Sequence, residues 1–324
     1  MESRSQQLGD LATSSRRGAR GAGASASSRS LGARLRDGRL SGWLFVVPAF
    51  ACYGVFVLWP LLQTFRYSLY RWDGVLPPKW VGFANFRTVF TDHELLGILG
   101  HAFELMIFFS AVPVVLGLAV AAVIRRVASR RIGSVARAVL FLPQVVPLVA
   151  AGIAWSWLLS TNGVVNQFLS AVGLGGVTRA WLGDFGTALP AVGVIGAWVL
   201  LGLCTVLLSA GMAKIDQTLY EAAQIDGAGP IKEFLVITLP GLRQEIAVCV
   251  TVTVIAALSA FDIVYISTRG GPGTQTMVPG LEIYQLAFFN REVGLASALA
   301  VVLMLLVLVC ILPIQWLARR GADE

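Results

Sequence analysis

Charge is scarce in this sequence: Asp, Glu, Lys and Arg make up 13% of its 324 residues, while 56% are hydrophobic and the mean hydropathy is +0.74. Ordinary soluble domains carry roughly 25% charged residues, so that class is excluded. Histidine is scarcer still, with only His93 and His101, and neither stands in an HExxH-like pattern. Metal or Ser/His catalysis therefore lacks its ligands and its base. The four cysteines, Cys52, Cys204, Cys249 and Cys310, lie singly in apolar runs without a CxxC pair, and read as packing residues rather than a metal site. Only three lysines occur, Lys79, Lys214 and Lys232, followed by Trp80, Ile215 and Glu233. None completes GxxxxGK[ST], so no P-loop for ATP is present.

What is present is a series of long uncharged apolar runs, each near the ~20 residues that an α-helix needs to cross a bilayer. The first, Trp43 to Phe65, exceeds the h-region of a signal peptide and lacks a small-x-small exit, so it reads as a span. Five more are expected: Ala102 to Ile124, Ala138 to Ser160, Ala188 to Met212, Ile246 to Thr268 and Leu295 to Leu317. The expected architecture is an all-α integral membrane protein of six transmembrane helices. Residues 1–40 form a basic, Ser/Gly/Ala/Arg-rich tail expected to be disordered, 41–66 the first span and 67–101 an external loop. A five-helix core follows over 102–317, including a loop at 213–245, and 318–324 form the C-terminus.

The net charge of +7 sets topology. Eighteen of the 25 Lys and Arg fall in the tail, the 125–137 and 213–245 loops and the C-terminus; seven fall in the alternate loops. The positive-inside rule puts both termini in the cytoplasm, and the eight tail arginines serve that orientation rather than nucleic-acid binding. Pro113, Pro143, Pro147, Gly193, Gly196 and Gly202 punctuate the spans. They mark either helix breaks facing a cavity or close packing through small residues.

The loop from Asp216 to Pro240 reads as two short helices and a turn. Asp216 suits an N-cap for a helix to Asp226, Gly227 a C′ position with φ > 0, and Pro230 the first turn of the next helix. On the first helix Leu219, Ala222 and Ala223 make a small apolar face, with Tyr220, Glu221 and Gln224 on the more polar side. Periodicity alone leaves open an ordinary amphipathic surface helix or one that docks into a groove of another protein.

The residue pattern closely resembles the EAA motif of the membrane subunits of bacterial binding-protein-dependent ABC importers: Glu221-Ala222-Ala223, then Gly227, then Ile237-Thr238-Leu239-Pro240. Phe261-Asp262, Thr268, Gly270-Gly271-Pro272, Thr274 and Thr276 resemble a segment of the first permease subunit of carbohydrate importers. So do Val81-Gly82-Phe83-Ala84-Asn85-Phe86 and Leu142-Pro143-Gln144-Val145-Val146-Pro147. His101-Ala102 departs from the Asn-Thr common in relatives. The resemblance covers Trp43 to Leu317 and implies the type I ABC importer permease fold in the bacterial cytoplasmic (inner) membrane. It implies a second permease subunit, a dimer of ATPase subunits that uses ATP and Mg, an external solute-binding protein, and no cofactor bound by this chain. Tyr220, Glu221, Ala222, Ala223, Gln224, Asp226 and Gly227 would form the coupling helix and its bend against the ATPase.

For a sugar-like solute the pathway needs aromatic faces and hydroxyl-bonding groups in a mostly apolar wall. Gln144, Trp198, Ser259, Phe261 and Asp262 are the candidates. Asp262 stands out because a mid-membrane carboxylate costs at least ~2.5 kcal/mol and should face a cavity or partner. Trp155, Trp157 and Trp198 also suit packing or interface anchoring. The alternative, a secondary transporter driven by an ion gradient, would carry internal repeats and several intramembrane acids.

Overall fold

In the computed structural model the described residues are 39–127 and 129–320, so most of the basic tail and residues 321–324 lie outside them. The chain divides into two units, with the boundary after Pro60. The first unit holds the helix Arg39–Tyr53, which continues through a π turn, Gly54–Leu58. The apolar stretch Val46–Tyr67 is long enough to cross a membrane.

Among its described residues the second unit is mainly helical, with one short hairpin, Tyr70–Arg71 antiparallel to Lys79–Trp80, with Tyr70 opposite Trp80. Asn85 holds this hairpin by donating from Nδ2 to the carbonyls of Ser68 and Tyr70, at 2.8 and 2.9 Å. The segment expected to be an external loop is therefore structured, with a further helix, Ala84–Thr91. The next helix starts at His93, not at Ala102, because Asp92 caps it by accepting from the amides of Glu94 and Leu95.

Three further helices qualify as single spans: His93–Arg126, Ala188–Met212 and Val293–Arg319. Two bent pairs add up to two more, Arg131–Val145 with Leu148–Leu158 at 95° and Pro230–Gly241 with Arg243–Leu258 at 70°. The described residues thus offer four spans, or up to six if each bent pair is one. The expected helix Ala138 to Ser160 is divided because Pro147 forces Val146 into an extended conformation, ψ 127°. The expected helix Ile246 to Thr268 also ends early, at Leu258, and a separate short helix, Asp262–Ser267, follows.

Ala188–Met212 runs unbroken at the predicted bounds and lies at the centre of the bundle, packing most extensively on Val112–Val127. Its glycines give close approach rather than breaks. A Cβ at Gly193 would meet the Phe108 ring at 2.5 Å, one at Gly196 the Phe109 ring, and one at Gly202 the Leu140 carbonyl. Gly196→Ala is expected to cost about 1–3 kcal/mol by overpacking and to lower the unfolding temperature in detergent. Gly100→Ala, where nothing lies within 4 Å of the added methyl, should leave it near wild type. Cys204 and Cys249 are buried with Val114, Leu208 and Leu242, whereas Cys52 is exposed, so packing inside this chain does not describe all four cysteines.

Candidate functional site

The loop after Met212 is built by local capping. Asp216 accepts the Thr218 amide at 2.9 Å and starts the helix Gln217–Ile225. That bond holds the Asp216 carboxyl below its usual range. At the other end Gly227 has φ +75°, the Ala228 amide donates to Ala223 and the Gly227 amide to Gln224, which is a Schellman cap. Pro230 opens the next helical stretch, Pro230–Glu233, which continues through a π turn to Gly241.

The two faces of the Gln217–Ile225 helix differ from the sequence expectation at one residue. Tyr220 is 2% exposed and does not share the polar outer side with Glu221 and Gln224; its hydroxyl lies 3.0 Å from Thr238 Oγ1 and the Arg125 guanidinium covers its ring. Glu221, Ala222, Gln224, Asp226 and Gly227 are exposed, while Ala223 is half-buried. Leu219, Ile225, Ile231, Leu235 and Val236 surround them with exposed apolar surface, Ile225 at 86% and Ile231 at 75%. Of these, Ile231, Leu235 and Val236 line one shallow apolar surface, and exposed apolar surface of this kind suits a partner. Ile225, Ile231, Leu235 and Val236 were not singled out by sequence, although Ile231 and Leu235 stand four apart on one helical face.

A second site forms where the helices break. A cavity of about 320 Å³ lies between the interruption at Val146-Pro147 and that at Ser259–Phe261, lined by Phe109, Gln144, Ser259, Phe261 and Asp262 among mostly apolar residues. In an apolar medium, irregular backbone persists only where protein or a watery cavity satisfies it, which is the situation at both breaks. Gln144 Oε1 is buried without a hydrogen-bond partner, an arrangement that costs about 1–3 kcal/mol until a donor arrives. Phe261 stacks on Tyr265 with centroids 5.3 Å apart and meets Tyr284 edge-on at 5.5 Å, so its ring is fixed beside the opening. The structure thus gathers four of the five expected pathway residues. Trp198 is not among the cavity's lining residues; it packs edge-on against Trp155 at 5.5 Å.

The Gly-Gly-Pro segment forms a tight loop beyond this cavity. Gly270 and Gly273 have φ of +89° and +57°, and the buried Thr276 hydroxyl bonds Thr268 Oγ1 at 2.7 Å and the Gly271 carbonyl at 2.8 Å. His101 Nδ1 lies 2.9 Å from the Met277 carbonyl. The residue that departs from the common pattern therefore ties the His93 helix to this loop.

The described residues thus form an apolar helical bundle with an exposed, capped loop and a mostly apolar cavity that carries a few polar groups at paired helix breaks. The chain belongs to the family described as binding-protein-dependent transport system inner membrane component, whose profile matches residues 113–321. Curated relatives include the probable ABC transporter permease protein YurN of Bacillus subtilis, 32% identical over 90% of this chain and 100% of the relative. The diacetylchitobiose uptake system permease protein NgcF of Streptomyces coelicolor is 35% identical over 80% of this chain and 76% of its own. The trehalose/maltose transport system permease protein MalF of Thermococcus litoralis is 32% identical over 85% and 92%. Among solved structures, a bacterial ABC transporter involved in the import of the acidic polysaccharide alginate matches with a TM-score of 0.75 at 23% identity, over 89% of this chain and 99% of the other. That likeness shows the fold, the one expected of an ABC importer permease. The chain is a transport subunit and not an enzyme.

Proposed function

We propose that this chain forms half of the translocation pathway of an ATP-driven importer for a sugar or related polyol. The observation that carries the reading is the cavity at the helix breaks, where the unpartnered Gln144 oxygen, Ser259 and Asp262 offer hydroxyl-bonding groups beside the Phe261 ring. Relatives named for diacetylchitobiose and trehalose/maltose transport support the solute class. In this reading each bent pair is one crossing, giving six spans, and the Lys and Arg asymmetry keeps both termini cytoplasmic.

The loop with Tyr220, Glu221, Ala222, Ala223, Gln224, Asp226 and Gly227 couples to a separate ATPase dimer. ATP and Mg are used there, and this chain binds no cofactor. A second permease completes the pathway and an external binding protein delivers the solute. Membership of a binding-protein-dependent family leaves the ion-gradient-driven alternative without support.

The test is uptake into proteoliposomes holding the assembled complex and its binding protein, with labelled maltose, trehalose, lactose and diacetylchitobiose as probes. Uptake of at least one that requires internal ATP is expected. Gln144→Leu and Asp262→Asn should each lower that uptake at least ~10-fold at equal assembly, the effect of losing one polar contact worth ~1.5 kcal/mol. Full uptake in both variants would remove this cavity from the pathway.

A further inference from the structure

The contact of Arg125 with the Tyr220 ring goes beyond the charge that sets topology. Arg125 lies in the last turn of the long helix that runs from His93, and its guanidinium carbon lies 3.4 Å from the centroid of the Tyr220 ring, over its face. Tyr220 is the one residue of its helix that is buried, and its hydroxyl is held by the buried Thr238 from the following helical stretch. One side chain of the exposed loop helix is thus held by two other elements, while its neighbour Glu221 faces outward.

The helix that carries Arg125 also carries Phe109, which lines the solute cavity. Phe109 lies in a five-residue π turn, Ile107–Ala111, the kind of local irregularity found at functional positions in helices. Sixteen residues separate the two, about 24 Å along the axis at ~1.5 Å per residue. One helix thus joins the Arg125 contact to the cavity wall.

We infer that the Arg125–Tyr220 stack is the contact that passes movement of the loop helix to the solute cavity, with Arg125 as a positioning residue for transport. The inference rests on the loop being the ATPase-coupling element, and it adds the internal route by which that coupling reaches the solute. A cation over a ring is suited to the task because it tolerates small sliding and yet keeps the two elements together. A double-mutant cycle across the two side chains measures their coupling directly.

The experiment measures solute imported per ATP hydrolysed in the same proteoliposomes for wild type, Arg125→Lys, Arg125→Met, Tyr220→Leu and the Arg125→Met/Tyr220→Leu pair, with bound ATPase quantified in each preparation. Arg125→Met keeps much of the side-chain length and loses the charge, and is expected to lower the ratio about 2- to 5-fold, the effect of losing a cation over a ring at an exposed site. Arg125→Lys should restore most of it, and the double variant should be no worse than Tyr220→Leu alone. An unchanged ratio in Arg125→Met with ATPase bound, failure of lysine to rescue, or multiplied losses in the pair would overturn the stack and leave the coupling loop standing. A wild-type complex that holds no ATPase would overturn the coupling reading, and this inference with it.

Discussion

Glu221→Ala is expected to lower ATPase association and ATP-driven uptake by roughly 10- to 100-fold while the chain still inserts and assembles with its permease partner. Glu221 is exposed on a helix that is capped at both ends by other residues, so removing its carboxylate leaves the local fold intact. Its surroundings, Leu219, Ile225 and Ile231, are exposed apolar groups. On docking they exclude water around the carboxylate, and a charge-assisted bond in that setting is worth about 1.5–3 kcal/mol, which gives the stated range. Glu221→Gln keeps an acceptor but not the charge, so it should fall between the two. Co-purification of the ATPase, quantified against the permease, is the measurement. Wild-type levels with Glu221→Ala would mean that the apolar surround alone anchors the loop.

Gly227→Val is expected to reduce uptake by about 10-fold through the backbone alone. At φ +75° a side chain is strained wherever space exists, and here the space exists, since no atom lies within 4 Å of a Cβ placed on Gly227. A left-handed conformation costs an L-residue roughly 1–2 kcal/mol, and a β-branched one more. The strain falls on the Schellman turn that sets the angle between Gln217–Ile225 and Pro230–Glu233, so Glu221 is presented incorrectly. Asn is tolerated at such positions, and Gly227→Asn should keep most of the uptake. Equal uptake for the valine and asparagine variants would show that the turn does not set the loop's presentation.

The parts of this fold legible in the sequence are those fixed locally. Asp216, Gly227 and Pro230 specify their cap, turn and helix start by their own chemistry, and all three stand there in the structure. Ala188–Met212 is readable to its ends because no charged residue interrupts it. The break after Leu258 was not legible. Leu258-Ser259-Ala260-Phe261-Asp262 contains neither Pro nor Gly, so the local pattern predicts a continuing helix, and the interruption coincides with residues that line the cavity.

The rotation of each helix was likewise hidden where one residue decides it. A nine-residue amphipathic helix does not reveal that Tyr220 faces inward, because the group that covers it, Arg125, comes from a distant helix. Trp198 stands on a helix that is apolar on every side, so no pattern distinguishes the cavity wall from the Trp155 contact it makes. Gln144 was legible as polar within a span; that its oxygen is left without a partner is visible only in three dimensions.

The decisive measurement is purification of the tagged chain from membranes in mild detergent, with identification and stoichiometry of the proteins that accompany it. A complex is predicted that contains a second EAA-bearing permease and two copies of a P-loop ATPase, with the ATPase lost from the Glu221→Ala preparation. A stable chain recovered without any ATPase would contradict the assignment of the Asp216 to Pro240 loop as the element that couples this protein to ATP.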